Sequence, residues 1–303
     1  MDGEGTGAAY GPALSDLAPP RRRRGVAGGR GRPVHRPRRR TPPPEGPISM
    51  SARFTDRTVL VTGAGSGLGR AIALAFAAEG AKVVVAGRTA EPLDGTVALI
   101  EAAGGTAAAV TADVSSAEST RELVRRTVEV FGGLDVAVNN AGVFRGGGHS
   151  AADFPLEDWR TLLDINVTGV LHALQAEVGH MRANGGGAIV NIASNLGPHV
   201  RVPGVFGYQV SKAAVSALTR AAALDHIGDG IRINAVSPGA AESTMSLRPG
   251  ETEAEREVRM KEQSPLGRIS SAAEVAAAVL YLASDDAGSA VGTDLVIDGG
   301  VSA

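Results

Sequence analysis

Tyr208, Lys212 and Ser194 are the residues whose types and spacing best fit proton chemistry. Tyr208 and Lys212 stand four apart in a helical pattern, which puts them on one face. A free phenol titrates near ~10, too high for a good base at neutral pH. A nearby ammonium favours the phenolate and lowers that value. Proton exchange with a carbonyl or alcohol oxygen then becomes feasible. Ser194, fourteen residues before Tyr208, adds a hydroxyl able to bond the same oxygen. Taken alone, Tyr-x3-Lys is common and usually structural, so its weight depends on the rest of the chain.

The run Thr62-Gly63-Ala64-Gly65-Ser66-Gly67-Leu68-Gly69 supplies the second constellation. It follows a strand-like segment and opens a helix-like one, the context a dinucleotide phosphate site needs. Glycines there let backbone N–H groups and the positive helix end approach an anion. The spacing is Gly-x3-Gly-x-Gly, and glycine turns are common in general, so this motif also needs support.

These residues must be held by a scaffold, and the pattern beyond Arg53 provides one. Short β-branched runs at 58–62, 82–86, 106–111, 134–138, 187–193, 231–236 and 293–297 alternate with helical stripes. Leu68, Ile72 and Phe76 share one helix face, as do Val124, Val128 and Phe131, and Val275, Val279 and Leu282; these are core positions. Repeated β-α-β units predict a parallel sheet covered by helices on both faces. In such sheets ligands lie beyond the carboxyl ends of the strands.

The residues just after each strand fit that rule. Gly87-Arg88 follows the second strand; no acid is present to repel a 2′-phosphate, and arginine can pair with one, so NADP(H) is favoured, with NAD(H) as the alternative. Asp113-Val114 follows the third, where a carboxylate can accept from an adenine amino group or cap the next helix. Asn139-Asn140-Ala141-Gly142 follows the fourth, with amides that can bridge strand ends and small residues that leave room for a cofactor. Phe144, Arg145, His149, His199, Arg201, Phe206 and Gln209 are candidates for the pocket wall.

Composition separates the chain into two polymers. The first fifty of 303 residues hold ten Arg, no Lys and four acids, whereas residues 51–303 hold 20 basic and 28 acidic residues. Residues 1–49 are rich in Arg and Pro and poor in large apolar groups, so a disordered arm is expected. No apolar segment follows the arginines as an export signal requires, and Pro33, Pro37 and Pro42 interrupt a transit-type helix. Arginine attracts phosphate, but no interleaved aromatics or folded reader accompany it, so nucleic acid is a weak expectation. Translation from Met50 is a further expectation, testable by intact mass. The absence of cysteine excludes disulfides and thiolate metal sites, fits a cytoplasmic location, and leaves no sequence reason to expect a metal. No apolar run is long enough to span a membrane.

Together these motifs resemble the short-chain dehydrogenase/reductase family over residues 54–302: TGAGSGLG at 62–69, Asp113, NNAG at 139–142, Asn166 within LLDINVTG, Ser194, YQVSK at 208–212, SPG at 237–239 and VIDGG at 296–300. The resemblance implies one Rossmann-like, doubly wound α/β domain over residues 50–303, with a seven-stranded parallel sheet. It implies hydride transfer between a nicotinamide and a carbonyl or secondary alcohol. Tyr208 would then be the general acid/base, and Lys212 would hold the nicotinamide ribose and lower the Tyr208 pKa. Ser194 would orient the substrate oxygen, and Asn166 would hold a water in a proton relay. Gly63, Ser66, Gly67, Leu68 and Gly69 would cradle the pyrophosphate. Arg88, Asp113 and Val114 would line the adenosine side, Asn140, Ala141 and Gly142 would contact the cofactor, and Pro238-Gly239 would lie against the nicotinamide. Ser243 stands where the family usually has Thr against the carboxamide, and it keeps the hydroxyl. Residues 240–264 would form a lid, and the chain would assemble as a homotetramer. A 3-oxoacyl thioester reductase and a sugar or polyol dehydrogenase remain open within the enzyme class. A non-catalytic dinucleotide sensor is disfavoured, because Ser194, Tyr208 and Lys212 are all present.

Overall fold

The computed structural model describes residues 52–241 and 250–303. The arm, Ser243 and the segment 242–249 of the expected lid lie outside the described residues. Seven parallel strands, β1 (Thr58–Thr62), β2 (Lys82–Gly87), β3 (Thr106–Thr111), β4 (Val136–Asn139), β5 (Gly187–Ile192), β6 (Ile231–Pro238) and β7 (Asp294–Ile297), make one sheet in the order β3-β2-β1-β4-β5-β6-β7. All seven fall on the runs read from the sequence. Each is joined to the next through helix, as parallel neighbours require.

The strands alternate their side chains between two cores. Val59, Val61, Val83 and Val138 face α1 (Gly67–Ala78), α2 (Ala90–Ala102) and α8 (Ala272–Ala283), meeting Ile72, Phe76, Leu93 and Val279. Leu60, Val84, Ala137 and Ile189 face the opposite way, meeting Leu123 of α3 (Ala117–Phe131), Leu174 of α5 (Gly169–Ala183) and Val215 of α6 (Phe206–His226). Because both faces are covered, the strands read as near-continuous apolar runs. The sheet order reverses between β1 and β4, whose residues pair Val59 with Val136 and Val61 with Val138. That reversal opens a crevice at the carboxyl ends, and the glycine turn after β1 and Asn139-Asn140 after β4 flank it.

Two local features shape the crevice. Helix α4 (Leu156–Leu162) runs into a π-helical turn, Leu163–Thr168, before α5. This widened turn carries Asn166; such turns are frequent at functional sites. The helix after Asp113 is capped by Ser116, whose side chain accepts from Ser119 N–H. Asp113 instead forms a turn upstream, accepting from the Ser115 amide (2.9 Å) and hydroxyl (2.7 Å). The capping role offered for Asp113 therefore belongs to Ser116.

Candidate active site

The crevice is lined by Thr62, Gly63, Gly87, Arg88, Asp113 and Val114 on one side of the switch point and by Ala141 and Gly142 on the other. Its floor is built by close backbone approach. Gly63 has φ +65°, a region that favours glycine. A Cβ on Gly69 would stand 2.2 Å from the Gly63 carbonyl oxygen and 2.5 Å from Asn140 Nδ2. Asn140 does not face the crevice with its amide; Nδ2 donates to the carbonyls of Thr62 (3.0 Å) and Gly63 (3.2 Å), locking the turn from below. Thr62 Oγ1 completes the lock by accepting from the amides of Asn140 and Ala141, both at 3.1 Å. Ser66 begins α1 without a side-chain capping bond, beside exposed Gly67, while Leu68 packs against the core. The turn thus offers backbone and one hydroxyl to an anion at the positive end of a helix. These features fit a dinucleotide.

At the outer end Arg88 is exposed and contributes to holding the Asp113 carboxyl below its ordinary range, after the larger effect of the Ser115 bonds. A cation and an anion therefore share the outer end of the crevice.

The proton machinery lies past β4 and β5. Tyr208 and Lys212 both sit on the inner face of α6, 9% and 5% exposed. The Tyr208 and Ser194 hydroxyls are hydrogen-bonded. Ser194 Oγ also accepts from the Leu196 amide at 3.1 Å, which fixes its rotamer. Lys212 Nζ donates to the Ile192 carbonyl at 2.8 Å and lies 5.9 Å from the centre of the Tyr208 ring. Gly142 lies against this group: a Cβ there would stand 3.5 Å from Nζ, an ordinary contact, and a tighter 3.3 Å from Asn166 Oδ1.

The electrostatics differ from the expected activation. Burial pushes the Tyr208 phenol up to about 12, with the Ser194 bond opposing, and pushes Lys212 down to about 8. Desolvation disfavours both charged forms and outweighs their mutual attraction at this separation. With these partners alone, Tyr208 keeps its proton at neutral pH. Asn166 is also more committed than expected. Its Oδ1 accepts from Val143 N–H (2.8 Å), and its Nδ2 donates to the Val143 carbonyl (2.9 Å) and Ser211 Oγ (3.0 Å). Both amide protons are used, so the side chain holds the strand end after β4 to α6.

Pro238-Gly239 ends β6 beside Ser194. Asn195 N–H donates to the Pro238 carbonyl (2.9 Å), and Asn195 Nδ2 donates to Asp298 (3.2 Å). Two candidate wall residues serve the scaffold. His199 pairs with Asp294 at 3.1 Å, and Gln209 exchanges hydrogen bonds with the Val202 backbone.

Sequence reasoning missed one buried chain beneath the site. Asn139 Nδ2 donates to Glu177 (3.1 Å) and to Asn191 Oδ1 (3.0 Å), and Asn191 Nδ2 donates to Thr219 (2.9 Å). Glu177 is 1% exposed, and burial lifts it to about 7. The signal was available: Glu177 interrupts the apolar stripe of Val170, Leu174, Val178 and Met181 on α5.

Known proteins carry the same pattern. The sequence profile described as Enoyl-(Acyl carrier protein) reductase matches residues 63–302. A cyclohexanol dehydrogenase from an Acinetobacter strain is 39% identical over 250 residues, covering 82% of this chain and 96% of that protein. A meso-2,3-butanediol dehydrogenase from Serratia marcescens is 38% identical over 256 residues, covering 83% and 96%. The crystal structure of a short-chain type dehydrogenase/reductase from Mycobacterium marinum superposes with a TM-score of 0.75 at 35% identity, covering 82% of this chain and 97% of that one. With this breadth of match over the same sheet and the same motifs, the chain belongs to the short-chain dehydrogenase/reductase family, whose members are NAD(P)-using oxidoreductases acting on CH–OH and C=O groups.

Proposed function

We propose that residues 50–303 form an NADP(H)-dependent carbonyl reductase or secondary-alcohol dehydrogenase, with NAD(H) the alternative cofactor. The observation that carries this reading is the hydrogen-bonded Tyr208–Ser194 pair beside buried Lys212, whose Nζ lies next to Gly142 in the lining of the glycine-floored crevice. In reduction Tyr208 donates its proton to the substrate oxygen, and the Ser194 hydroxyl aligns that oxygen. In oxidation Tyr208 takes the alcohol proton. When bound, the nicotinamide cofactor supplies or accepts the hydride. Lys212 binds the ribose hydroxyls, the turn from Gly63 to Gly69 holds the pyrophosphate, and Pro238-Gly239 bounds the nicotinamide. Asn166 keeps the strand end after β4 and α6 in register.

Arg88 after Gly87 supports the 2′-phosphate, because a guanidinium binds phosphate oxygens in a bidentate way and no acid occupies position 87. The printed names of the relatives support a secondary alcohol or its ketone as the substrate class. A 3-oxoacyl thioester is the second reading, supported by the printed name of a relative, a 3-oxoacyl-(acyl-carrier-protein) reductase from Thermotoga maritima. A cytoplasmic homotetramer is part of the proposal.

Tyr208→Phe tests the assignment. It should lower kcat by about 10²–10⁴, the range of general acid–base catalysis, and leave the Kd for NADPH unchanged. Turnover at the wild-type level would overturn the role of Tyr208.

A further inference from the structure

Ten aromatic residues serve the whole chain, and five of them gather at one place: Phe144, Phe154, Trp159, Phe206 and Tyr208. The Phe144 ring lies 5.3 Å from the Tyr208 ring, tilted by 59°. Phe154 packs edge-on against Trp159 and Phe206, whose rings stack at 5.9 Å. Glycine backbone lies against the rings. A Cβ on Gly147 would stand 2.9 Å from Phe144, and one on Gly207 would stand 2.5 Å from Phe154. The two loops that carry this wall are tied together, since Gly148 N–H donates to the Gly204 carbonyl at 2.7 Å.

We infer that Phe144 is a specificity-determining residue and that the site takes a compact, uncharged ring ketone or the corresponding ring alcohol. This rests on the oxidoreductase reading above. The reacting oxygen must meet the Tyr208 hydroxyl, so the carbons next to it pass beside Phe144. An aromatic face gives a ring of CH groups a broad apolar contact. A short open-chain carbonyl covers less of that face and orders more rotors on binding. The glycines and the Gly148–Gly204 bond hold the wall in place before substrate arrives, so the selection is built into the fold.

The test compares cyclohexanone, 2-butanone and acetoacetyl-CoA with NADPH, using the wild type, Phe144→Leu and Phe144→Ala. The wild type should prefer cyclohexanone. Phe144→Ala should raise KM for cyclohexanone about tenfold, the scale of an aromatic contact, with 2-butanone and NADPH each moving less than about twofold. Phe144→Leu should fall between the two. The unchanged NADPH KM certifies that the variants fold. A KM shift equal for both ketones, or none, would overturn the role of Phe144. A wild-type preference for acetoacetyl-CoA would overturn the ring class while leaving the oxidoreductase reading intact. No turnover with any carbonyl or alcohol would bring down that parent reading, and this one with it.

Discussion

The two halves of the crevice are built from different materials. From β1 to β3, the walls are backbone: Gly63 and Gly69 approach to the point where a methyl would collide, and Asn140 and Thr62 brace the turn with hydrogen bonds to main chain. Beyond β4, the walls are side chains: Phe144 on Tyr208, Phe154 under Gly207, and a buried amide chain from Glu177 to Thr219. A backbone wall admits one ligand shape and depends on a few adjacent residues. A side-chain wall can be re-cut one residue at a time.

The contrast can be broken in several places, and the largest effect falls on the side-chain half. Glu177 is an acid whose folded value, about 7, lies above the ordinary 4.5. The stability it contributes when protonated is therefore lost as pH rises from about 4.5 to about 7, and the loss amounts to about 3 kcal/mol above that window. The Asn139 bond only partly offsets burial of the charge, and Asn139 Oδ1 is itself buried without a partner among the described residues. Glu177→Gln should flatten this decline in denaturant titrations between pH 5 and 9. A variant that declines as the wild type does would show that the carboxyl stays neutral or is hydrated.

The next effect falls on the backbone half. Gly69→Ala should cost about 1–3 kcal/mol of stability and weaken NADPH binding, because the intruding methyl meets a carbonyl that cannot turn away. Gly147→Ala meets only the edge of the Phe144 ring, so it should alter KM for the carbonyl and spare NADPH. Equal responses in a paired measurement would erase the distinction between the halves. Arg88→Ala is expected to raise KM for NADPH about tenfold, with KM for NADH unchanged, as for loss of one charge-assisted contact. The mildest signature is in the pH profile. With Tyr208 lifted to about 12, its protonated form persists across neutrality, so carbonyl reduction should show no Tyr208 step from pH 6 to 9, and a break at about 8 belongs to Lys212. Alcohol oxidation needs the phenolate and should rise over the same range. A reduction rate that falls before pH 8 would mean that a bound cofactor lowers the phenol strongly.

What could be read in advance followed from locality. Seven strands appeared where β-branched runs predicted them, and the glycine turn lay at the carboxyl end of the first strand, as read. Tyr208 and Lys212 shared a helix face because four residues nearly close one turn. What stayed hidden was the choice of partners. Asp113 looked like a cap, yet Ser116 took that place. Asn140 bridges strand ends as its amide suggested, but only the structure names Thr62 and Gly63 as the partners. Burial dominates both Tyr208 and Lys212 in the protein by itself, a balance that no spacing announces. The Phe144 contact joins residues 64 positions apart, and no local pattern announces it.

The amino-acid sequence alone determined the layered sheet, the anion-binding turn and the proton-bearing residues, because each depends on neighbours within a turn of helix or a strand. Only the tertiary structure decided which hydroxyl meets Tyr208, how deeply the pair is desolvated, and which rings stand at the mouth. Those depend on how distant segments pack, and the free energy of a buried charge or a ring contact is set by everything around it.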